Sequence, residues 1–351
     1  MAPGDTDVDL ITGGSGFMGT HLARRLLADG KRVRLFDPAE PAPDLRDRVE
    51  WVAGSVLDTE AVFQACRGVD VVYHTAALVP LSKAGRGFED VNARGTGNVA
   101  EACVALGVRR LVHVSSSAVY DPAVTAMPVT EETRLSPVGA YGRSKRTAEL
   151  EVEAAGERGL QWVIIRPRTI LDEGRGGIFQ ILFDWARAGK MLYTIGDGSN
   201  PFQLVSASDL ASACVLAASE PGAVGEAFNV GAAEFGTLDD LMGDLAEYAS
   251  TGSRVVHLSA PFARAVLKVL DILRLSPLAE WHYRTMDKPF IFSTRKAERI
   301  LGWAPIDSNR AMLVRSYDWY LAHHDDLDSR SGTTHRTSPR QGFLRILRKV
   351  S

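Results

Sequence analysis

The sequence predicts an α/β protein: a doubly wound parallel sheet that carries a smaller, irregular α/β lobe. Three observations predict it. Short apolar or β-branched runs alternate with helical stretches from Val8 to Arg166; two of the runs, VDVVY and RLVHV, are apolar almost throughout; and the alternation stops after Arg166. Nearly continuous apolar runs fit strands buried on both faces, the condition of a parallel sheet covered by helices.

The pattern places strands at 8–12, 32–36, 49–53, 69–74, 109–115 and 161–166. Between them, 17–29, 58–66, about 88–106 and 139–157 have apolar residues at helical spacing and are long enough for right-handed crossovers. After Arg166 the chain is richer in Gly, Pro, Trp and Phe, with helical runs at 178–188, 207–219, 237–249, 262–273 and 308–322. The expected division is a sheet domain over 1–170, a substrate lobe over 171–325 with 207–235 returning in part to the main sheet, and a basic tail over 326–351. The polar run SRSGTTHRTSPRQG predicts a disordered, solvated tail, with a weak membrane-surface or partner contact through GFLRILRKVS as the alternative.

Composition excludes several classes. A net charge of -3 offers no surplus for a polyanion, so no nucleic-acid partner is expected. Cys66, Cys103 and Cys214 lie far apart with no metal-clip spacing and read as reduced core residues; no metal is expected. The first ten residues are not a signal peptide, and no apolar run approaches the ~18 residues that span a bilayer. These features predict a cytoplasmic protein without stable membrane insertion.

Directly after the first strand comes TGGSGFMG, residues 12–19, which runs into a helix through Phe17 and Met18. Gly13 allows the tight turn, Gly16 lets backbone approach a pyrophosphate, and Gly19 permits close helix–strand packing. The helix N-terminus presents free N–H groups to the anion. Asp37 ends the second strand, 18 residues after Gly19, where a carboxylate accepts from ribose hydroxyls and repels a 2′-phosphate. The 1–170 domain therefore reads as Rossmann-type, with NAD favoured over NADP.

YGRSK puts Tyr141 and Lys145 four residues apart, on one face of a helix. A free phenol with a pKa of about 10 is a poor base at neutral pH, and a nearby cation lowers it by roughly 1–3 units. Lys145, together with the positive nicotinamide ring of the oxidised cofactor, is expected to supply that field. Ser116, 25 residues before Tyr141, follows a strand at the crevice end of the sheet and can bond the substrate oxygen that Tyr141 deprotonates.

TGGSGFMG, HTAA at 74–77, VNARGTGN at 91–98, SSSAVY, YGRSK and IIRP at 164–167 together resemble the extended short-chain dehydrogenase/reductase superfamily, NAD-dependent epimerase/dehydratase family, over roughly 8–325. The resemblance implies a tightly held NAD, Tyr141 as base, Lys145 on the nicotinamide ribose and Asn92 near the nicotinamide. It also implies a homodimer through the helices near 88–106 and 139–157. Val56, Ala76 and Pro167 fall with the cofactor contacts, and Ser55, in place of the family's acidic residue, can still bond the adenine amino group.

Departures narrow the chemistry. Ser117 and Ala118 stand where dehydratases of this family carry an Asp-Glu pair, and the related decarboxylases keep a Glu at the place of Ala118, so neither activity is expected. Thr169 replaces the Asn that holds a nucleotide-sugar diphosphate, and GDGSNPFQLV at 196–205 lacks the accompanying Arg. Arg168, Arg175 or Arg187 can compensate. Val79, Leu81 and Lys83, in the loop after the fourth strand, are candidate substrate contacts beside Ser117, Arg168, Thr169 and Arg175. The first expectation is an NAD-dependent epimerase of a nucleotide-activated sugar, working through a transient ketone. The alternative is a dehydrogenase or ketoreductase of a non-nucleotide secondary alcohol, hydroxysteroid-like or other, and the third is a non-catalytic NAD-binding protein.

Overall fold

A computed structural model describes residues 8–82, 84–272 and 280–328; Lys83 and most of the expected tail, 329–351, lie outside the described residues. The first half alternates as expected: β1 (Val8–Thr12), α1 (Phe17–Ala28), β2 (Arg32–Phe36), β3 (Glu50–Val52), α2 (Thr59–Cys66), β4 (Val69–His74), α3 (Gly95–Leu106), β5 (Arg110–Val114), α4 (Gly139–Gly156) and β6 (Gln161–Pro167). Then follow β7 (Thr169–Ile170), α5 (Ile178–Arg187), β8 (Leu192–Ile195), β9 (Leu204–Val205), α6 (Ala207–Ser219), β10 (Glu226–Val230), α7 (Leu238–Ala249), β11 (Val255–Leu258), α8 (Ala260–Ile272), α9 (Glu280–Thr285), α10 (Arg295–Leu301) and α11 (Asn309–Asp328).

Seven parallel strands form the main sheet in the order β10-β6-β5-β4-β1-β2-β3. The order reverses between β1 and β4, and that switch point opens the ligand crevice at the C-terminal strand ends. Every residue of β1 and β5 is buried, including the polar Asp9, Thr12, Arg110 and His113. The return to the sheet is made by β10, which pairs with β6 after α6 has packed beside α1.

Two apolar layers sandwich the sheet. On one side Leu22 and Leu26 of α1 and Leu210 and Cys214 of α6 cover Ile11, Val112 and Phe228. On the other, Val62, Val99, Cys103 and Val152 cover Leu10, Val72, Leu111 and Ile164. Each fully buried Leu or Phe contributes about 1.5–3 kcal/mol of transfer free energy. The lobe has its own core where Phe183, Leu241, Leu245, Leu313 and Tyr317 join α5, α7 and α11. All three cysteines are buried and free. Among the described residues no helix is long and apolar enough to cross a membrane.

The expected helix at 88–106 is divided: Glu89–Arg94 forms a wider π turn before α3 begins. Gly95 faces Val56 so closely that a Cβ would stand 2.6 Å from its side chain, and the Asn92 amide binds the backbone of Leu78. Local packing and that clamp set the wider turn, which apolar periodicity does not reveal.

Candidate active site

The glycine turn has the shape a pyrophosphate needs. Gly13 has φ +71°, and a Cβ there would stand 2.7 Å from the backbone of Ala76; at Gly19 it would stand 2.3 Å from the carbonyl of Gly13. Gly16 caps α1 without a side-chain bond, so the N–H groups around Phe17 and Met18 remain available to an anion. Asp37 accepts from the N–H of Ser15 at 3.2 Å and of Ala39 at 2.8 Å, fixing its carboxylate beside the turn. This cradle fits NAD: the turn would receive the pyrophosphate and Asp37 the ribose.

The other expected cofactor residues divide. Ala76 is half-buried against Gly13, and buried Pro167 ends β6 at the cleft. Val56 packs on Gly95, and Ser55 is exposed, its hydroxyl accepting from the Leu57 N–H at 3.2 Å. Asn92 is buried behind the loop that follows β4. Its oxygen accepts from the Leu78 N–H, and its amide donates to the Leu78 carbonyl at 3.0 Å and to Ser144 at 3.1 Å. The side chain is committed to holding the loop to α4.

Tyr141, Lys145 and Glu149 recur every four residues along one face of α4. The helix approaches the strand end closely enough that a Cβ on Gly142 would stand 2.4 Å from the Ala118 carbonyl, so YGRSK needs its glycine. That approach sets Tyr141 beside Ser116, the residue opening a tight turn at the end of β5, and both face the same cleft. The expected electrostatics change here. Burial raises the Tyr141 pKa above the usual phenol value, while Ser116 and the charge of Arg175 act in the opposite direction. The fully buried Lys145 ammonium donates to the Val114 carbonyl at 2.7 Å, and burial lowers its pKa to about 8 against the pull of Glu149. Arg175 adds a lowering charge from the chain itself, and the positive nicotinamide ring of the oxidised cofactor, on which the expectation also rested, would add to it.

Beneath this trio lies a buried ion pair that sequence reasoning missed. Glu149 accepts from Arg166 Nε and Nη2, each at 2.9 Å, and from the Ser115 hydroxyl at 2.6 Å. Arg166 also donates to the Tyr120 hydroxyl at 2.8 Å. The pair ties α4 to β6 and to the serine-bearing end of β5. Its sequence signal was the third member of the Tyr141 helix face.

A cleft opens over Ser116 and Tyr141. Ser117, Pro167, Arg168, Thr169 and Arg175 line it, joined by residues from the lobe that the sequence did not mark: Phe202, Leu238, Met242, Thr285, Met286, Lys288 and Phe290. Val79 does not reach the wall. The chain tightens into a turn at Pro80–Ser82, with the Ser82 N–H and hydroxyl both on the Val79 carbonyl, and presents Pro80 instead. Arg187 is on the far end of α5 beside Asp184 and is not among the lining residues. No group of acidic, His or Cys side chains among the described residues could hold a metal ion.

The model of the NAD dependent epimerase/dehydratase family matches residues 10–231. An uncharacterised protein of Sinorhizobium fredii is 39% identical over 96% of this chain and 85% of its own length. The 2-alkyl-3-oxoalkanoate reductase of Stenotrophomonas maltophilia is 30% identical over 84% of this chain and 94% of its own. Among solved structures, a UDP-glucose 4-epimerase from Thermotoga maritima superposes with a TM-score of 0.76 at 21% identity, covering 90% of this chain and 99% of that one. The chain belongs to the NAD dependent epimerase/dehydratase family, within the extended short-chain dehydrogenase/reductase superfamily, and its cofactor is NAD.

Proposed function

We propose that this chain is an NAD-dependent oxidoreductase that interconverts a secondary alcohol and its ketone on a largely apolar substrate. The observation that carries this reading is the wall of the cleft: Ile170, Ile178, Phe179, Leu182, Leu241, Met286 and Phe290 form much of it, and among the described residues no carboxylate or carboxamide lines it. A sugar brings several hydroxyls that must keep hydrogen bonds when buried, and a nucleotide adds a polar base. These walls offer few partners for either. The whole-length similarity to a ketoacid reductase supports the same reading.

NAD, when bound, supplies the hydride acceptor. With the positive nicotinamide ring of the oxidised cofactor beside it to offset burial, Tyr141 would act as the phenolate that takes the carbinol proton, while Ser116 holds the same substrate oxygen in place. Lys145 keeps a positive charge beneath the crevice. Water elimination has no general acid to serve it, since Ser117 and Ala118 carry no carboxyl group.

Nucleotide-sugar epimerisation is the competing outcome, favoured by the cations Arg168, Arg175 and Lys288, which could meet a diphosphate. Incubation with NAD and a panel of neutral and acidic apolar alcohols separates the two. Net reduced nicotinamide in solution, with UDP-, dTDP- and GDP-sugars unchanged, is expected. An epimerised sugar without net cofactor reduction overturns the proposal. We also propose that pairing occurs through α3 and α4, where Leu106 and Leu150 are exposed; a monomeric mass in solution refutes it.

A further inference from the structure

Two cations in the cleft have no compensating anion. Arg168 is buried, its Nε has no hydrogen-bond partner, and its guanidinium lies 4.1 Å from the centre of the Phe290 ring. Arg175 has both Nε and Nη1 buried and unpaired, with its guanidinium 5.3 Å from the Phe17 ring centre. Other buried cations are provided for: Arg166 pairs with Glu149, Arg110 donates to two carbonyls and Gln161, and Lys145 donates to Val114. An aromatic face attracts a cation but neutralises none of its charge. Two desolvated charges that border one ligand crevice, with no anion paired to either among the described residues, are what an anion-binding site looks like before its anion arrives.

Resting on the oxidoreductase reading above, we infer that the substrate is an apolar hydroxy or oxo acid whose carboxylate is received by Arg168 and Arg175. Tyr141, Arg168 and Arg175 line the same cleft, so the carboxylate would sit in the crevice that holds the reacting carbinol. Bidentate guanidinium–carboxylate bonds then orient the carbinol toward Ser116 and Tyr141. The rest of the substrate lies along the apolar wall. Arg175 also borders the cofactor turn through Phe17, so the cofactor's own pyrophosphate is the other source of the same chemistry.

The test is binding of 3-hydroxydecanoate and its methyl ester to the NAD-loaded protein by calorimetry, alongside a titration of NAD itself. The acid is expected to bind about ten- to a hundredfold more tightly than the ester, the range of a charged hydrogen-bonded contact. Arg168→Met and Arg175→Met should each remove that preference while leaving ester and NAD binding unchanged, and Arg168→Lys should restore part of it. Equal affinity of the wild-type protein for acid and ester overturns the inference without recourse to any variant. It is likewise overturned if Arg175→Met weakens NAD while the acid preference persists, which assigns the charge to the cofactor. Failure of the oxidoreductase reading shows separately, as absence of net cofactor reduction with acids and neutral alcohols alike.

Discussion

Replacing Glu149 by Gln probes the platform under the catalytic residues. Glu149 is fully buried and holds Arg166 by two bonds of 2.9 Å, the Ser115 hydroxyl at 2.6 Å and Arg146 at 3.1 Å. Gln keeps the shape, removes the charge and turns an NH2 group toward donors. Breaking a buried pair by neutralising one partner costs about 3–5 kcal/mol, because the other charge stays buried without compensation. At roughly 2 °C per kcal/mol for a chain of this size, Tm should fall by about 6–10 °C in calorimetry. Adding Arg166→Met should recover part of that loss, since the stranded charge goes with it. A second readout is chemical. Glu149 opposes the burial that brings Lys145 down to about 8, so without it the ammonium loses its proton at lower pH. The alkaline fall of kcat should therefore begin at lower pH in the variant. A Glu149→Gln protein with wild-type Tm and an unmoved alkaline limb would refute the account of both the pair and the lysine.

Tyr141→Phe should lower turnover by about 10²–10⁴-fold with NAD affinity unchanged; retained activity in steady-state assays rules the phenol out as the base. Asp37→Ala should weaken NAD by about tenfold and narrow its advantage over NADP, since a charged acceptor for ribose is lost; equal preference before and after excludes that role. Acid should weaken the fold through His74 and His113. Burial lowers both, His74 to about 3, and its ring is already satisfied when neutral, between Thr12 at 2.6 Å and Thr96 at 2.8 Å. The unfolded histidines take protons at about pH 6.5 and the folded ones do not, so stability falls as pH drops from there, by about 1.4 kcal/mol per pH unit for each. His113 has no hydrogen-bond partner on either nitrogen, so His113→Leu should flatten the slope between neutrality and pH 5; denaturant unfolding with an unchanged slope sinks this assignment.

What could be read from the sequence was what short spacing determines. The glycine turn, the strand that feeds it and the Tyr141–Lys145 helix face are each set within a few residues, and the observed elements follow them closely. Glu149 was within the same reach, two further helical steps along, but its meaning depended on Arg166 arriving from the neighbouring strand. Burial, the first cause of the rise at Tyr141, belongs to the folded cleft and is not visible in a cation four residues away. Arg168 and Arg175 were visible as candidates; that they stand unpaired was not. Phe290, Met286 and Lys288 come to the wall from more than a hundred residues downstream, through a segment without a period to betray its direction.

The strand β10 lies directly beside β6, the last strand before the lobe begins. The chain thus leaves the sheet at the C-terminal end of β6 and re-enters it at the opposite end of the adjacent parallel strand, whose axis runs one strand spacing away, about 4.8 Å. The excursion between them begins and ends on a fixed anchor, whatever its length or composition. Residues of the cleft wall such as Ile178 or Phe202 can be exchanged, or the excursion lengthened, with loop-closure entropy rising only slowly and no change in strand register. New specificity can arise in that segment while the machinery that moves the hydride and the proton keeps its geometry.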